Sequence, residues 1–439
     1  MKKSHEIVIE NIKAFLKTQK KVTMERCYSS IIDKKGLRYF DNSIEIIDNE
    51  KFDNYFPFVS NVVITANRIE CDSLNYIAAT QDNSQIWKRH NSLYIIPGYN
   101  VGIADAYIFK VNSAFFLHIN AFETGSNTPG GSTDIVRFIS NNPFLNPNTI
   151  ISFGICYGRD ATKQEIGDVI IPQKLYPWSI GQKISEKKFS IKDDNFNLWL
   201  FNAFEEKEIY SALWNFCKGF DGTAVSDSLV LKNGNKKTTN SFCVNTIMGN
   251  LSTGEAVVSS SRAKKIIQNA NRNDKELGGE MEGYGLAKEC IYYAQIPCII
   301  VKAICDWGEL KDIESVLENE KIKHPDSLKD KLQAYAAFCS GIVLFKLLLK
   351  EKELFLSLKL SRFVLDNKYG KNFLNGNTAF TKETIIKRYK RFYSNNYEVT
   401  EKVFCNLVEK GIIIHSTNNP NEYRIDDILL RKVTNHGYY

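Results

Sequence analysis

The stretch GGEMEGYGLAKECIYYAQIPCIIVKAICDWGE (residues 278–309) decides how the rest of the chain is read. It sets Glu280 and Glu282 around Met281 at the mouth of an apolar helical pattern. It then runs through PCIIVKAI, a run with the length and composition of a strand buried on both faces, and ends on Asp306. A buried carboxylate without a partner is costly, so three of them beside this much apolar surface imply partners or a chemical task.

Outward from this stretch, short apolar runs recur: NVVITA, SLYIIPG, AFFLHINAF, TIISFGI, GDVIIP and CVNTIMG. They alternate with helical patterns at 131–141, 260–270, 282–295 and 326–350. Such alternation predicts the α/β class, with helices layered on a sheet into a three-layer sandwich. In open α/β sheets ligands gather at the carboxyl ends of the strands. Asp306 and the turn after VVITA, which leads to Glu70, both lie at such ends. Glycine-rich segments at 124–131, 153–158 and 252–256 are expected to be turns where backbone approaches a ligand. There is no Walker A pattern and no G-x-G-x-x-G, which argues against a nucleotide kinase or a dinucleotide enzyme.

The 439 residues are 43% hydrophobic and 24% charged, enough for two or three globular domains. The opening MKKSHEIVIENIKAF lacks the apolar core of a secretory signal. The longest apolar run, AYAAFCSGIVLFKLLL, is interrupted by Lys346 and is expected to be a core helix, so a cytoplasmic protein without a membrane partner is predicted. Ten cysteines without a C-x-x-C pair are expected to be reduced and buried. Six scattered histidines and no HExxH give no support for a metal site or a Ser-His-Asp triad.

Three units are expected: a helical extension at 1–60, an α/β domain at 61–350 and a small basic unit at 351–439. The last carries 15 Lys and Arg against 10 Asp and Glu, most of the chain's net charge of +7. Its pattern is three helices, with Thr381 and Thr400 as N-caps, followed by two short strands, which predicts a winged-helix-like domain. KRYKR at 387–391 is either a solvated basic face or a surface for nucleic acid; a protein partner is the rival use of such a unit.

Five segments of the α/β unit, in order, carry a resemblance: VVITANRIE, TIISFGICYGRDATKQEIGDVIIP, STGEAVVSS, GEMEGYGLAKEC and IIVKAICDWGE. Residues 61–350 resemble the nucleoside phosphorylase superfamily, most closely its methylthioadenosine/S-adenosylhomocysteine nucleosidase branch. The resemblance implies that fold, an N-glycosidic reaction on a purine nucleoside or nucleotide, and no cofactor or metal. It also implies roles. Asp306 would protonate N7 of the leaving purine, and Glu70 would activate water, with Glu280 in support. Glu282 would hold the ribose hydroxyls, and Met281 would pack on the sugar. Backbone at Ile155 and Cys156 would line the sugar side, and Val257 and Val258 would lie against the base. Arg159, in a site loop, would meet a phosphorylated substrate, although a solvated surface charge is the equal alternative.

The chain departs from the family in three places. The position of the phosphorylases' phosphate-binding arginine falls on Ile69, with Arg68 beside it, and Glu70 matches the hydrolases instead. Val257 stands where the nucleosidases have a base-stacking phenylalanine, and Ile155, Cys156 and Tyr157 stand where small residues are usual. The expected activity is hydrolysis with release of free base, in a homo-oligomer. The architecture resembles nucleotide-depleting effectors of bacterial antiviral defence. The alternatives are a phosphate-dependent phosphorylase and a nucleic-acid-binding regulator with a nucleoside-sensing domain.

Overall fold

A computed structural model describes residues 2–32, 44–96, 103–112, 114–121, 129–145, 147–177, 181–185, 188–191, 196–197, 223–233, 236–254, 276–294, 296–308, 313–350 and 380–393. It also describes 258, 264–265, 267, 401, 404–405, 408–409, 413–417 and 419–425. The helices are α1 (Lys2–Leu16), α2 (Gln19–Ile31), α3 (Asn49–Asp53), α4 (Arg68–Ala79), α5 (Ser132–Asn141), α6 (Gly283–Lys288), α7 (Ile313–Asn319), α8 (Leu328–Lys350) and α9 (Lys382–Tyr393). Strands β1 (Ile44–Ile47), β2 (Val59–Thr65), β3 (Ser84–Arg89), β4 (Leu93–Tyr94), β5 (Ile103–Val111) and β6 (Ala114–Asn120) are followed by β7 (Thr149–Gly158) and β8 (Val169–Pro177). Then come β9 (Gly181–Ser185), β10 (Lys188–Ile191), β11 (Phe196–Asn197), β12 (Thr223–Asn233), β13 (Lys236–Thr253), β14 (Glu276–Glu280) and β15 (Cys298–Asp306).

The class is mixed α/β with a large central mixed sheet of 13 strands. The strands expected from apolar runs are β2, β6, β7, β8, β13 and β15, and SLYIIPG contributes only the two-residue β4. Their cores are fully buried: Val62, Ile150, Ile151, Val169, Ile170 and Ile299 to Val301 have almost no exposure. Strands β2, β7 and β15 run parallel, so their carboxyl ends lie at one edge of the sheet.

Two features depart from an open sandwich. First, β7 pairs with β15, β15 with β8, β8 with β13, β13 with β14, and β14 antiparallel with β7. These five strands therefore close on one another. The closing step needs a bare backbone, since a Cβ on Gly278 would lie 2.1 Å from the Tyr157 carbonyl oxygen. Second, β12 and β13 form a long antiparallel hairpin from Thr223↔Thr246 to Asn233↔Lys236. Only the CVNTIMG part of β13 is legible as a strand; the polar, alternating remainder is not, and packing on α2 accompanies it: the Lys232 amide donates to Ser30 Oγ at 2.9 Å, and Arg26 to Asn240 at 2.6 Å.

The extension expected to be helical also needs correcting. Residues 44–47 form an edge strand, β1, parallel to β3, so the sheet begins before residue 61. The run is short and flanked by charge, and only its neighbour makes it a strand. The segment FGICYG is not a turn but the end of β7, and the helical pattern at 282–295 is α6 continued by a π-helical turn, Glu289–Ala294. The patterns at 124–128 and most of 260–270 lie outside the described residues.

Helix α8 is long and apolar enough to cross a bilayer, yet 83% of that stretch is buried inside the protein. It packs on α2, α4, β7 and β15. In the C-terminal part, β16 (Phe380–Thr381), β17 (Ile413–His415) and β18 (Glu422–Ile425) form a three-stranded sheet in the order β16-β18-β17. The expected pair of strands therefore gains a third, which precedes α9. Thr381 Oγ1 accepts from the Thr384 amide at 3.3 Å, and Thr400 lies outside the described residues.

Phe338 on α8 has no exposure. Phe338→Ala is expected to destabilise the protein by about 3–5 kcal/mol, through lost transfer free energy and the cavity left behind. Urea denaturation checks this, with a loss of unfolding free energy below about 1 kcal/mol counting against a rigid core at this position.

Candidate active site

Helix α4 begins with a reciprocal cap. Asn67 accepts from the Glu70 amide at 2.9 Å, and Glu70 Oε2 accepts from the amides of Ala66 at 3.0 Å and Asn67 at 3.3 Å. The other oxygen, Oε1, reaches across to β7 and accepts from the Ile155 amide at 3.0 Å. Glu70 is thus a helix cap and a bridge between two strand ends, and it is buried. The approach depends on Gly154, which has φ +152° and whose Cβ would lie 2.0 Å from Glu70 Oε1.

Glu282 is the N-cap of α6, and its carbonyl accepts from Ser132 Oγ, the first residue of α5, at 2.8 Å. Its carboxylate meets a residue that the sequence reading passed over as part of an apolar strand. Lys302, in the middle of β15 and with no exposure at all, donates to Glu282 Oε2 at 2.9 Å. Glu280 turns back on its own chain, its Oε2 accepting from the amides of Glu282 at 2.9 Å and Gly283 at 2.8 Å. Three carboxylates and one ammonium therefore share one buried region. A charge inside CIIVKAI was the available signal for Lys302, because a lysine is almost never fully buried unless paired.

The electrostatics follow from this crowding. Burial pushes the Glu70 carboxyl up, and neighbouring Glu282 adds to this, while Lys302 and the amides of Ala66 and Ile155 oppose it. Burial, then repulsion from Glu282, raises Glu280 to about 7, with Lys302 pulling it down. For Lys302 burial alone would favour the neutral amine, but Glu282, Glu70 and Glu280 together hold the proton more tightly than in water.

Asp306 is the last residue of β15 and is half-buried. Its Oδ1 accepts from the Gly308 amide at 2.6 Å, so the carboxylate is steered by its own turn. Tyr157 is the register partner of Asp306 on β7, and its buried ring packs with Val258. Met281 is half-buried between Glu280 and Glu282. The Ile155 amide is already given to Glu70, and the Cys156 carbonyl accepts from Cys305 Sγ at 3.5 Å. Arg159 donates from its guanidinium to the Glu276 carbonyl at 3.2 Å, where it ties β14 to the loop after β7. Val257 lies outside the described residues. Among the described residues no three His, Cys, Asp or Glu side chains are grouped to hold a metal ion.

No protein-family model matches the chain, and no curated protein matches it. Solved structures do. The 5'-methylthioadenosine/S-adenosylhomocysteine nucleosidase of Helicobacter pylori is 12% identical, with a TM-score of 0.43 over 67% of this chain and 99% of its own. The Neisseria meningitidis nucleosidase of the same name, in complex with methylthio-immucillin-A, is 14% identical, with a TM-score of 0.38 over 65% of this chain and 99% of its own. Futalosine hydrolase of Helicobacter pylori is 13% identical, with a TM-score of 0.40 over 66% of this chain and 98% of its own.

Removing Lys302 leaves three buried carboxylates without their cation, so Lys302→Met is expected to cost about 3–5 kcal/mol in denaturant titration. An unchanged midpoint would show that Lys302 does not hold the cluster together. Glu280 gives a pH test. Its folded pKa, about 7, lies above its unfolded value near 4.5, so the fold prefers the protonated form. The stability this contributes is complete below pH ~4.5 and is lost as pH rises through ~7, by at most roughly 3 kcal/mol. Glu280→Gln should flatten the decline in unfolding free energy between pH 5 and 8; Glu70, shifted in the same direction, leaves part of the slope.

Proposed function

We propose that the chain hydrolyses the N-glycosidic bond of a purine nucleoside or nucleotide and releases the free base. The observation that supports this most is the buried cluster of Glu70, Glu280, Glu282 and Lys302, set beside a half-buried Asp306 at the sheet's carboxyl edge. Breaking an N-glycosidic bond builds positive charge on the sugar and negative charge on the base. Carboxylates on the sugar side meet the first, and a proton from Asp306 at N7 meets the second. General acid and base groups each contribute about 10²–10⁴-fold.

In this reading Glu70 takes the proton of the attacking water. Burial pushes its pKa up, and Lys302 and the backbone amides that it accepts from oppose that push. Glu282 accepts from the ribose hydroxyls, and Lys302 fixes the direction of its carboxylate. Met281 lies against the sugar, and Tyr157 and Val258 form the wall beside the base. Water is favoured over phosphate as nucleophile because a carboxylate occupies the turn after β2, where it would repel an anion. Arg68, beside it, is more than half exposed and sits 3.7 Å from Asp72.

Asp306→Asn is expected to fold normally and to lose base release by at least about 10²-fold, since an amide supplies no such proton. Glu70→Gln should bind substrate yet fail to hydrolyse it. Chromatography of free base from a panel of adenine and guanine nucleosides and nucleotides, with and without phosphate, reads both variants. Cleavage that requires phosphate and yields a sugar 1-phosphate would replace the hydrolase with a phosphorylase.

The C-terminal part supports a second element of the proposal. The order β16-β18-β17, with α9 following the first strand and helical residues at 401, 404–405 and 408–409 before the hairpin, is the arrangement expected of a winged helix. We propose that it docks nucleic acid and thereby places the enzyme in a defence or regulatory setting. Lys387→Glu with Lys390→Glu in the full chain should weaken binding to DNA or RNA and reduce its salt dependence, with base release unchanged. Gel shifts at two salt concentrations decide between this and a protein partner, which predicts no shift with any nucleic acid.

A further inference from the structure

Helix α4 carries Glu70 in its first turn, and one imidazole ties down the chain on both sides of it. His118, on β6, has no exposure and takes no part in the chemistry proposed above. Its Nδ1 lies 2.9 Å from Asn75 Oδ1 on α4, and its Nε2 shares a hydrogen bond of 2.9 Å with the hydroxyl of Thr65, the last residue of β2. Thr65 and Asn75 are themselves almost without exposure. Glu70 stands midway between them in the chain, five residues from each. The ring therefore bridges the two ends of the segment that carries Glu70. The Thr65 carbonyl also accepts from the Ala121 amide at 2.9 Å, so the end of β2 is pinned to the end of β6.

The ring is held from its faces as well. Tyr107 stacks on it with centroids 5.3 Å apart and planes 22° apart, and Phe109 packs against it at 5.5 Å. Tyr107 is fixed in turn, its hydroxyl donating to Asp105 Oδ2 at 3.4 Å, and Lys88 of β3 donates to the same oxygen at 2.9 Å. A polar ring in such a place loses its contacts with water, so its two hydrogen bonds have to offset burial. What they add over an apolar side chain is direction. Apolar contact is non-directional and would keep α4 on the sheet without fixing its slide or rotation. A hydrogen bond weakens steeply as its angle departs from linear.

We propose that His118 is the positioning residue for Glu70: it sets the start of α4 against the end of β2, and with it the direction of the Glu70 carboxylate. Glu70 Oε2 accepts from the amides of Ala66 and Asn67, the two residues after Thr65, while Oε1 crosses to the Ile155 amide of β7. The span of that crossing depends on where α4 begins. Asn75 lies about 7.5 Å further along the helix axis than Glu70, so a slide at the Asn75 contact is carried to Glu70 by the helix itself. The positioning stands on these contacts; its value to catalysis rests on the role of Glu70 in the hydrolysis proposed above. A displacement of about 1 Å in a group that aims at a reacting atom costs on the order of 10²-fold in rate.

His118→Phe in the full-length protein keeps a flat ring between Tyr107 and Phe109 and removes both hydrogen bonds. With the nucleoside or nucleotide that wild type cleaves fastest, kcat is expected to fall at least about 10-fold while KM stays within about threefold, because Glu70 acts on water and not on the substrate. Thr65→Val removes one of the two contacts and keeps the branched shape. It should lower kcat by at least about threefold at unchanged KM, which keeps the test decisive if His118→Phe melts early. Hydrogen exchange reads the same geometry without substrate. The amides of Ala66, Asn67 and Ile155, which donate to Glu70, should exchange at least about 10-fold faster in His118→Phe, measured relative to the amides of α8. Exchange at these three amides that matches wild type overturns the positioning role, whether or not cleavage is seen. Where cleavage is seen, an unchanged kcat, or a KM that rises as far as kcat falls, overturns it as well, and the reaction stands. If wild type cleaves no nucleoside or nucleotide, the reaction fails, and faster exchange at the three amides still upholds His118 as the residue that positions Glu70.

Discussion

The buried Lys302 ammonium and the Glu282 carboxylate lie 2.9 Å apart, and the rest of the candidate site is arranged around that pair. A wholly buried lysine is tolerable only when its charge is matched, and here Glu282, Glu70 and Glu280 match it with a surplus. The surplus has a consequence at Glu280, which resolves it by holding a proton up to about pH 7. Lys302 therefore does more than neutralise Glu282. It sets how much charge the two remaining carboxylates keep, and so which of them is able to accept a proton near neutrality.

The second constraint is geometric. Glu70 closes the first turn of α4 and, with its other oxygen, binds the backbone of β7. A residue that caps a helix has little freedom, which is useful if it is also to aim at a water molecule. Gly154 makes the bridge possible by leaving no side chain in its way. The helix-cap role of Glu70 and the chemical role proposed for it thus use the same geometry, and neither excludes the other.

The additions around the fold bear on the site as well. The hairpin β12–β13 and helix α2, which follows α1, brace one another through Arg26, Asn240 and Ser30. The same helices reach the loop after β7 through Asn11 and Lys20, and that loop holds β14 through Arg159 and Gln164. A chain of contacts therefore runs from the N-terminal helices to the strand that carries Glu280.

The sequence by itself determined the α/β class, the strands β2, β6, β7, β8 and β15, the core helix α8 and the positions of Glu70, Glu282 and Asp306 at element ends. Those are local matters: an apolar run five to nine residues long, or a cap before a helix, is written in neighbouring residues. Only the tertiary structure decided the rest. Strands β1 and β12 and the first half of β13 are too polar to announce themselves and become strands through their partners. Closure of the ring depends on Gly278 meeting Tyr157, 121 positions earlier in the chain. Lys302 and Glu282 are twenty residues apart in sequence, on a strand and at a helix start. No periodicity links them, and the low dielectric of the interior that makes their pairing matter exists only once the fold has formed.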